Sequence, residues 1–312
     1  MGKKKMKIVL LDALTFGDTD LSAFDALGEV EVYQTTAKEQ TQERIEGFDV
    51  VVTNKVVITK EMMQNTPSLK LICIAATGMN NVDLDAAKEL NIEVKNVAGY
   101  STSSVIQHTF SMLFYLIGHS RYYDEVVKSG AYAKSAIFTD VSHPFFEIKG
   151  KKWGIIGLGE IGRGVANLAT AFGAEVCYYS TSGVNRTDDF QRVNLEYLLE
   201  SCDIITIHAP LNEKTNNLLD YAKLLQLKEK AVVLNLGRGG IIDEEAVAKI
   251  VDERELYFGL DVLTQEPMRE DHPLLHVQNK ERLYVTPHIA WTSQEARKKL
   301  IASVVENIQS LK

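Results

Sequence analysis

Short apolar runs alternate with amphipathic segments along almost the whole chain, and this rhythm restricts the fold more than any other feature of the sequence. Apolar runs at residues 7–11, 30–33, 49–53, 71–76 and 92–96 have strand length. Between them, residues 20–27, 39–45 and 83–90 carry helical spacing. Parallel strands need a crossover of a dozen or more residues, usually a helix, so regular alternation predicts βαβ units around parallel sheets.

The rhythm breaks once. Residues 101–117 are mostly apolar and contain no Gly or Pro, which predicts a helix rather than a strand. A second helix is predicted at 121–128, followed by a looser stretch at 130–150 that contains His143-Pro144. The alternation then resumes. Strands are predicted at 153–157, 175–179, 203–208, 231–235, 257–260 and 283–286. Helices are predicted at 160–172, 194–200, 221–227, 244–251 and 293–311. The expected fold class is α/β, with two Rossmann-like or flavodoxin-like parallel-sheet domains and an active-site cleft between them. The expected domains are 1–98 plus 288–312, and 99–287. The last helix is assigned to the first domain because the second sheet is complete by Thr286.

A length of 312 residues fits about two domains. The formal charge of −8, from 42 acidic and 34 basic residues, makes nucleic acid or an anionic membrane a poor partner. The one basic run, Lys3-Lys4-Lys5 with Lys7, reads as a solvated tail. Cys73, Cys177 and Cys202 have no CxxC spacing and lie in or beside apolar segments. They are expected to be buried structural thiols in a reducing compartment, with no metal site. No apolar run approaches the ~18–20 residues of a membrane span, and the N-terminus has no signal-peptide pattern. A cytoplasmic protein is expected.

Residues 152–162 read as a strand, then Gly157-Leu158-Gly159-Glu160-Ile161-Gly162, then a helix. Gly157 permits the tight turn, Gly159 lets a pyrophosphate approach the backbone, and Gly162 lets helix and strand pack closely. The helix start, with Glu160 and Ile161, offers free N–H groups to phosphates. A lone glycine pattern marks only a strand-to-helix turn, but here the context on both sides predicts dinucleotide binding by residues 99–287. The acid expected about 20 residues later is missing. Ser180 stands in its place, followed by Thr181 and Ser182, with Arg186 nearby. These hydroxyls and the guanidinium suit a 2′-phosphate, so the cofactor is NAD or NADP. Alternatively, the hydroxyls simply bond the ribose of NAD.

Three more patches lie at predicted strand ends, where open α/β sheets bind ligands. Asn235-Leu236-Gly237-Arg238 carries an arginine able to hold a carboxylate and polarise a carbonyl. Its bland alternative is a structural salt bridge. Asp261 leads into Glu266-Pro267, which read alone is an acidic surface turn. Thr286-Pro287-His288-Ile289-Ala290 carries a histidine suited to general acid–base work, although a single histidine is more often an ordinary one.

Taken together and in order, these four motifs resemble the D-isomer-specific 2-hydroxyacid dehydrogenase family over the whole chain. The resemblance implies that Arg238, Glu266 and His288 are catalytic. It implies that Asp261 meets the nicotinamide carboxamide, and that Asn235, Leu236, Gly237, His208, Ala209, Pro210 and His288 border the cofactor. Ala76-Thr77-Gly78-Met79 resembles the family's substrate loop, with backbone N–H groups for a carboxylate. The first domain is therefore the expected substrate domain. Tyr100 and Trp291 are further expected substrate contacts. The helix at 101–117 resembles the family's dimer-forming helix, so a homodimer is implied, although residues 101–104 alone read as an N-cap.

Residues 288–296, 53–55 and 99–102 resemble the glycerate dehydrogenase/hydroxypyruvate reductase branch. Reduction of hydroxypyruvate or glyoxylate is the expected reaction. A D-lactate dehydrogenase is the runner-up. A non-catalytic, cofactor-sensing corepressor is the alternative from another class. Glu266 stands where the family's formate dehydrogenases carry glutamine, which disfavours that branch.

Overall fold

The computed structural model describes residues 5–184 and 187–311. It divides into two compact units, Met1–Ser101 with Thr292–Lys312, and Thr102–Trp291. The boundaries expected from the sequence fall a few residues before these.

The first unit holds a five-stranded parallel sheet. Its strands are β1 (Met6–Leu10), β2 (Gly28–Val32), β3 (Val50–Thr53), β4 (Leu71–Ile74) and β5 (Glu93–Lys95), in the order β2-β1-β3-β4-β5. This is the flavodoxin-like order. Every residue of β3 and β4 is buried, as a sheet covered on both faces requires. The helix Gln294–Gln309 belongs to this unit and buries Ala296, Leu300, Ile301, Val304 and Ile308, one stripe at helical spacing. Asp12, just past β1, accepts the N–H groups of Asn54 and Lys55 at 2.9 and 2.7 Å and so ties the ends of β1 and β3. Desolvation raises the Asp12 pKa above the ordinary carboxylate value.

Two local expectations differ from the structure. Residues 20–27 do not form an α-helix; a single 3-10 turn, Ser22–Phe24, stands there. The Asp20 carboxylate takes both the N–H and the hydroxyl of Ser22, a local bond that competes with a helix. A short helix, Lys60–Gln64, was not foreseen; Thr59 caps it and it buries only Met63.

The second unit holds a seven-stranded parallel sheet. Its strands are β6 (Lys152–Ile156), β7 (Glu175–Tyr179), β8 (Gln191–Arg192), β9 (Ile204–Ile207), β10 (Val232–Asn235), β11 (Tyr257–Leu260) and β12 (Leu283–Val285). Their order is β12-β11-β10-β9-β6-β7-β8. Starting at β6, the chain winds outward through β7 and β8, then returns to β9 on the other side. This is the doubly wound dinucleotide order with one added strand, and ligands bind at the strand ends where the winding reverses. The helices Thr102–Ile117 and Glu160–Ala171 pack together, and both bury residues in the same core as Trp153, Ile155 and Leu234. The edge strand β8 is exposed at both residues and carries no apolar signal, so the sequence did not announce it. Among the described residues, no helix is long and apolar enough to cross a membrane.

Candidate active site

The glycine loop leaves β6, an interior strand of the second sheet between β9 and β7. Gly157 has φ 92°, a left-handed value that favours glycine. A Cβ on Gly162 would lie 2.3 Å from the Gly157 carbonyl oxygen, so only hydrogen lets the helix Glu160–Ala171 sit this close. A Cβ on Gly159 would meet nothing within 4 Å, which leaves open space at the helix start. No side chain caps this helix, so its first N–H groups remain available to an anion. Glu160 and Ile161 occupy the first turn, exposed and half-buried respectively.

The strands flanking β6 end in buried polar groups without partners. Ser180 follows β7 and is buried; His208 follows β9 and is half-buried as a residue. The Ser180 Oγ and both His208 ring nitrogens are buried without a hydrogen bond among the described residues. Leaving such a group unpaired costs roughly 1–3 kcal/mol. Burial pushes the His208 pKa down to about 3, so the ring is neutral near pH 7. Orphaned polar atoms on both sides of an open glycine cradle fit a dinucleotide, whose hydroxyls and phosphates would satisfy them. Thr181 and Ser182 continue outward from Ser180, with Thr181 half-exposed and Ser182 exposed. Arg186 lies outside the described residues. Arg192, which the sequence reading passed over, donates to the Gly183 carbonyl at 3.3 Å and so borders the same turn. Ala209 is buried, and the Pro210 carbonyl accepts the Thr215 hydroxyl at 2.6 Å.

The next three strand ends carry the acid–base groups. Asn235 is buried at the end of β10 and bridges the following turn, accepting from Gly237 N at 3.1 Å and donating to the Arg238 carbonyl at 2.9 Å. Leu236 is buried beneath this turn. Arg238 Nη1 donates to the Gly237 carbonyl at 2.8 Å, which fixes one edge of the guanidinium. After β11, Glu266 Oε1 accepts the Leu263 N–H at 2.9 Å, and Glu266 Oε2 lies 2.7 Å from His288 Nδ1. A carboxylate only accepts, so Nδ1 is assigned the hydrogen and Nε2 is left for exchange with a ligand. The His288 and Glu266 side chains keep 24% and 31% exposure, so a small molecule can reach the ring.

Asp261 is 1% exposed and organises the histidine turn. Its Oδ1 accepts the Thr286 hydroxyl at 2.7 Å and Ile289 N at 2.8 Å, and its Oδ2 accepts Ala290 N at 3.0 Å. The sequence expects a nicotinamide contact of this same carboxylate, and its bonds to the protein hold it at the strand end. His108 Nε2 lies 3.3 Å from Thr286 Oγ1 and 3.6 Å from Asp261 Oδ1, a contact that sequence reasoning missed. Desolvation lowers the His108 pKa. The available signal was its isolation: no Asp, Glu, Lys or Arg occurs in the helix Thr102–Ile117. Among the described residues, no group of three or more His, Cys, Asp or Glu is arranged to hold a metal ion.

In the first unit, the loop after β4 is tied to the chain after β5. Ala76 O accepts Val97 N at 3.1 Å, the Thr77 hydroxyl donates to Val97 O at 3.1 Å, and Asn96 Nδ2 donates to Thr77 O at 2.7 Å. These bonds leave the backbone N–H groups of Thr77, Gly78 and Met79 unspent among the described residues. Tyr100 is buried in this unit, and Trp291 is half-buried at the end of the other.

Residues 110–290 match the family model described as D-isomer specific 2-hydroxyacid dehydrogenase, NAD binding domain. A hydroxypyruvate reductase of Blautia hydrogenotrophica is 33% identical, covering 97% of this chain and 96% of its own. A glycerate dehydrogenase of Methylorubrum extorquens is also 33% identical, covering 97% and 95%. Among solved structures, an acyclic imino acid reductase in complex with NADPH and D-Arg superposes with a TM-score of 0.86 at 30% identity, over 98% of this chain and 96% of that one. With a glycine cradle at the switch point and an arginine, a glutamate and a histidine at successive strand ends, this chain belongs to the D-isomer specific 2-hydroxyacid dehydrogenases, oxidoreductases that act on the CH–OH group of their donors.

Proposed function

We propose that this chain reduces a small 2-oxo acid, hydroxypyruvate or glyoxylate, with NADH or NADPH. The observation that carries the reading is the 2.7 Å contact between His288 Nδ1 and Glu266 Oε2, made in the same unit as Arg238. Glutamate at position 266 and the similarity to a hydroxypyruvate reductase and a glycerate dehydrogenase support this substrate class.

In this proposal Gly157, Gly159, Glu160, Ile161 and Gly162 hold the pyrophosphate. Ser180, Thr181 and Ser182 meet the adenosine ribose or its 2′-phosphate. His208, Ala209, Pro210, Asn235, Leu236 and Gly237 line the remaining length. When bound, the nicotinamide ring supplies the hydride.

Every other step belongs to the protein. Arg238 pairs with the substrate carboxylate and polarises the ketone oxygen; such charge-assisted bonds are the strong ones. Protonated His288 gives the Nε2 proton to the oxygen as negative charge develops on it. Glu266 holds Nδ1–H in place and balances the imidazolium. General acid catalysis of this kind contributes roughly 10²–10⁴-fold. Asp261 acts through the backbone of residues 288–290. In the first unit, the unspent N–H groups of Thr77, Gly78 and Met79, with Ala76, form the proposed carboxylate loop. Tyr100 and Trp291 are proposed substrate contacts.

The same proposal includes a homodimer. The segment 130–146 presents Phe138, Val141 and Phe145 at 90%, 73% and 67% exposure, more apolar surface than a solvated loop needs. Three buried free thiols suit a reducing compartment, and we assign the protein to the cytoplasm.

The test is the loss of reduced-nicotinamide absorbance with each nucleotide against hydroxypyruvate, glyoxylate and pyruvate. Turnover fastest with hydroxypyruvate or glyoxylate is expected. Pyruvate as the best substrate would move the chain to the lactate reading. Nucleotide binding without turnover of any 2-oxo acid would defeat the catalytic reading.

A further inference from the structure

A second histidine–glutamate pair lies in the same unit, away from the reacting groups. His272 Nε2 is 3.0 Å from Glu244 Oε2, and both residues are buried, at 7% and 9% exposure. His272 Nδ1 accepts Leu274 N at 3.3 Å, so Nε2 carries the hydrogen and donates it to Glu244. The other carboxylate oxygen, Glu244 Oε1, accepts both the backbone N–H and the hydroxyl of Thr264, at 2.6 and 2.7 Å. One carboxylate therefore clasps both ends of the loop that carries Glu266.

The clasp reaches the arginine turn as well. Glu244 opens the helix Glu244–Glu253, whose N-cap Asp243 lies five residues after Arg238 in the chain. A Cβ on Gly239 would lie 2.0 Å from the Leu263 carbonyl carbon and 2.4 Å from Thr264 N, so the backbones of the two turns touch there. The neighbouring Leu263 N–H binds Glu266 Oε1 at 2.9 Å. From Glu244, the contacts run through Thr264 and Leu263 to Glu266 on one side and to Gly239, beside Arg238, on the other.

We infer that Glu244 and His272 are positioning residues that hold the Glu266 loop against the Arg238 turn, so that Glu266 meets His288. This rests on the proposed roles of Arg238, Glu266 and His288. Neither residue touches a reacting atom in this account. Both act on the transition state, through the placement of Glu266, and leave nucleotide and ground-state substrate binding alone. A placement error of about 1 Å costs on the order of 10²-fold.

The experiment compares the full-length wild type with Glu244→Gln, His272→Leu and His272→Gln. It measures kcat and KM with hydroxypyruvate, nucleotide affinity by fluorescence, and amide exchange of peptides covering residues 262–273. Glu244→Gln and His272→Leu should lose ~10–100-fold in kcat, with KM and nucleotide affinity near wild type. Exchange over 262–273 should quicken. His272→Gln keeps a donor for Glu244 and should recover most of the lost kcat. The inference is overturned if kcat stays within about 2-fold of wild type, or if kcat, KM and nucleotide affinity all worsen together as a folding defect would make them. If the wild type itself turns over no 2-oxo acid, the proposed function fails separately. Exchange over 262–273 that stays at the wild-type rate in both damaging variants then overturns the clasp on its own.

Discussion

The backbone N–H of His288 donates to the Asp261 carbonyl at 2.8 Å, and the Asp261 side chain takes the next two N–H groups, from Ile289 and Ala290. The imidazole therefore inherits its position from the end of β11 as well as from β12. Asp261→Asn sets an amide NH₂ against groups that already donate. Leaving buried donors unsatisfied costs roughly 1–3 kcal/mol. The midpoint of thermal unfolding should fall by several degrees, at about 2–4 °C per kcal/mol for a chain of this size class. In the same variant kcat should fall at least ~10-fold, with nucleotide affinity little changed. A lowered melting point with wild-type kcat would leave Asp261 a purely structural role.

Removing the histidine should do more damage than neutralising its partner. His288→Ala deletes the proton donor and should lower kcat by ~10²–10⁴-fold. Glu266→Gln keeps an acceptor for Nδ1–H but loses the charge, and charge-assisted bonds are roughly twice as strong as neutral ones. Its kcat should fall less than that of His288→Ala. Steady-state kinetics at one pH rank the two. A Glu266→Gln variant more impaired than His288→Ala would mean that Glu266 is itself the acid.

The glycine loop separates fold from binding. Gly162→Ala places a methyl 2.3 Å from a carbonyl oxygen, so the helix must shift, at a cost of roughly 1–3 kcal/mol. Gly159→Ala meets no protein atom within 4 Å, so the melting point should hold. Its methyl occupies the space proposed for the pyrophosphate, and nucleotide affinity should fall at least ~10-fold, about 1.4 kcal/mol. Calorimetry with NADH and NADPH on both variants checks this. Gly159→Ala with wild-type affinity would remove the phosphates from this loop.

These contrasts follow what the sequence exposes and what it hides. The strands β3, β4, β9 and β10 are four-residue runs buried at every position, and buried parallel strands read as continuous apolar letters. The edge strand β8 has two exposed polar residues and leaves no such trace. In the site, Gly157, Arg238, Glu266 and His288 were legible because each follows a strand and brings its own chemistry. Their supports were not. His108 meets Thr286 across 178 residues of sequence, and Glu244 meets His272 across 28. No local spacing encodes such pairs, since only the closed sheet brings them together. The Asp261 carboxylate shows the same gap: nothing in its local sequence announces its bonds to the N–H groups of Ile289 and Ala290.

The apolar strip on residues 130–146 makes an assembly prediction. The helix Ser120–Lys128 beside it buries none of its residues in the single chain. Sedimentation of the wild type should give a dimer, and Phe138→Asp combined with Phe145→Asp should give a monomer that still binds nucleotide. A monomeric wild type at micromolar concentration would exclude the homodimer.

His208 gives the cradle a pH dependence. Burial lowers its folded-state pKa from 6.5 to about 3, so the unfolded chain takes up the proton first as pH falls. The contribution to stability is complete above pH 6.5 and declines through the range down to pH 3. Between pH 7 and 5 it should amount to a loss of about 2 kcal/mol, since each pH unit in that window is worth ~1.4 kcal/mol. Burial shifts His108 and His119 in the same direction, so the wild-type slope alone does not isolate His208. His208→Leu removes only this titration. The urea midpoint of the variant minus that of the wild type, measured without nucleotide, should rise as pH falls from 7 to 5. Parallel pH dependences would mean that solvent reaches the ring nitrogens and that they are not held unpaired for a ligand.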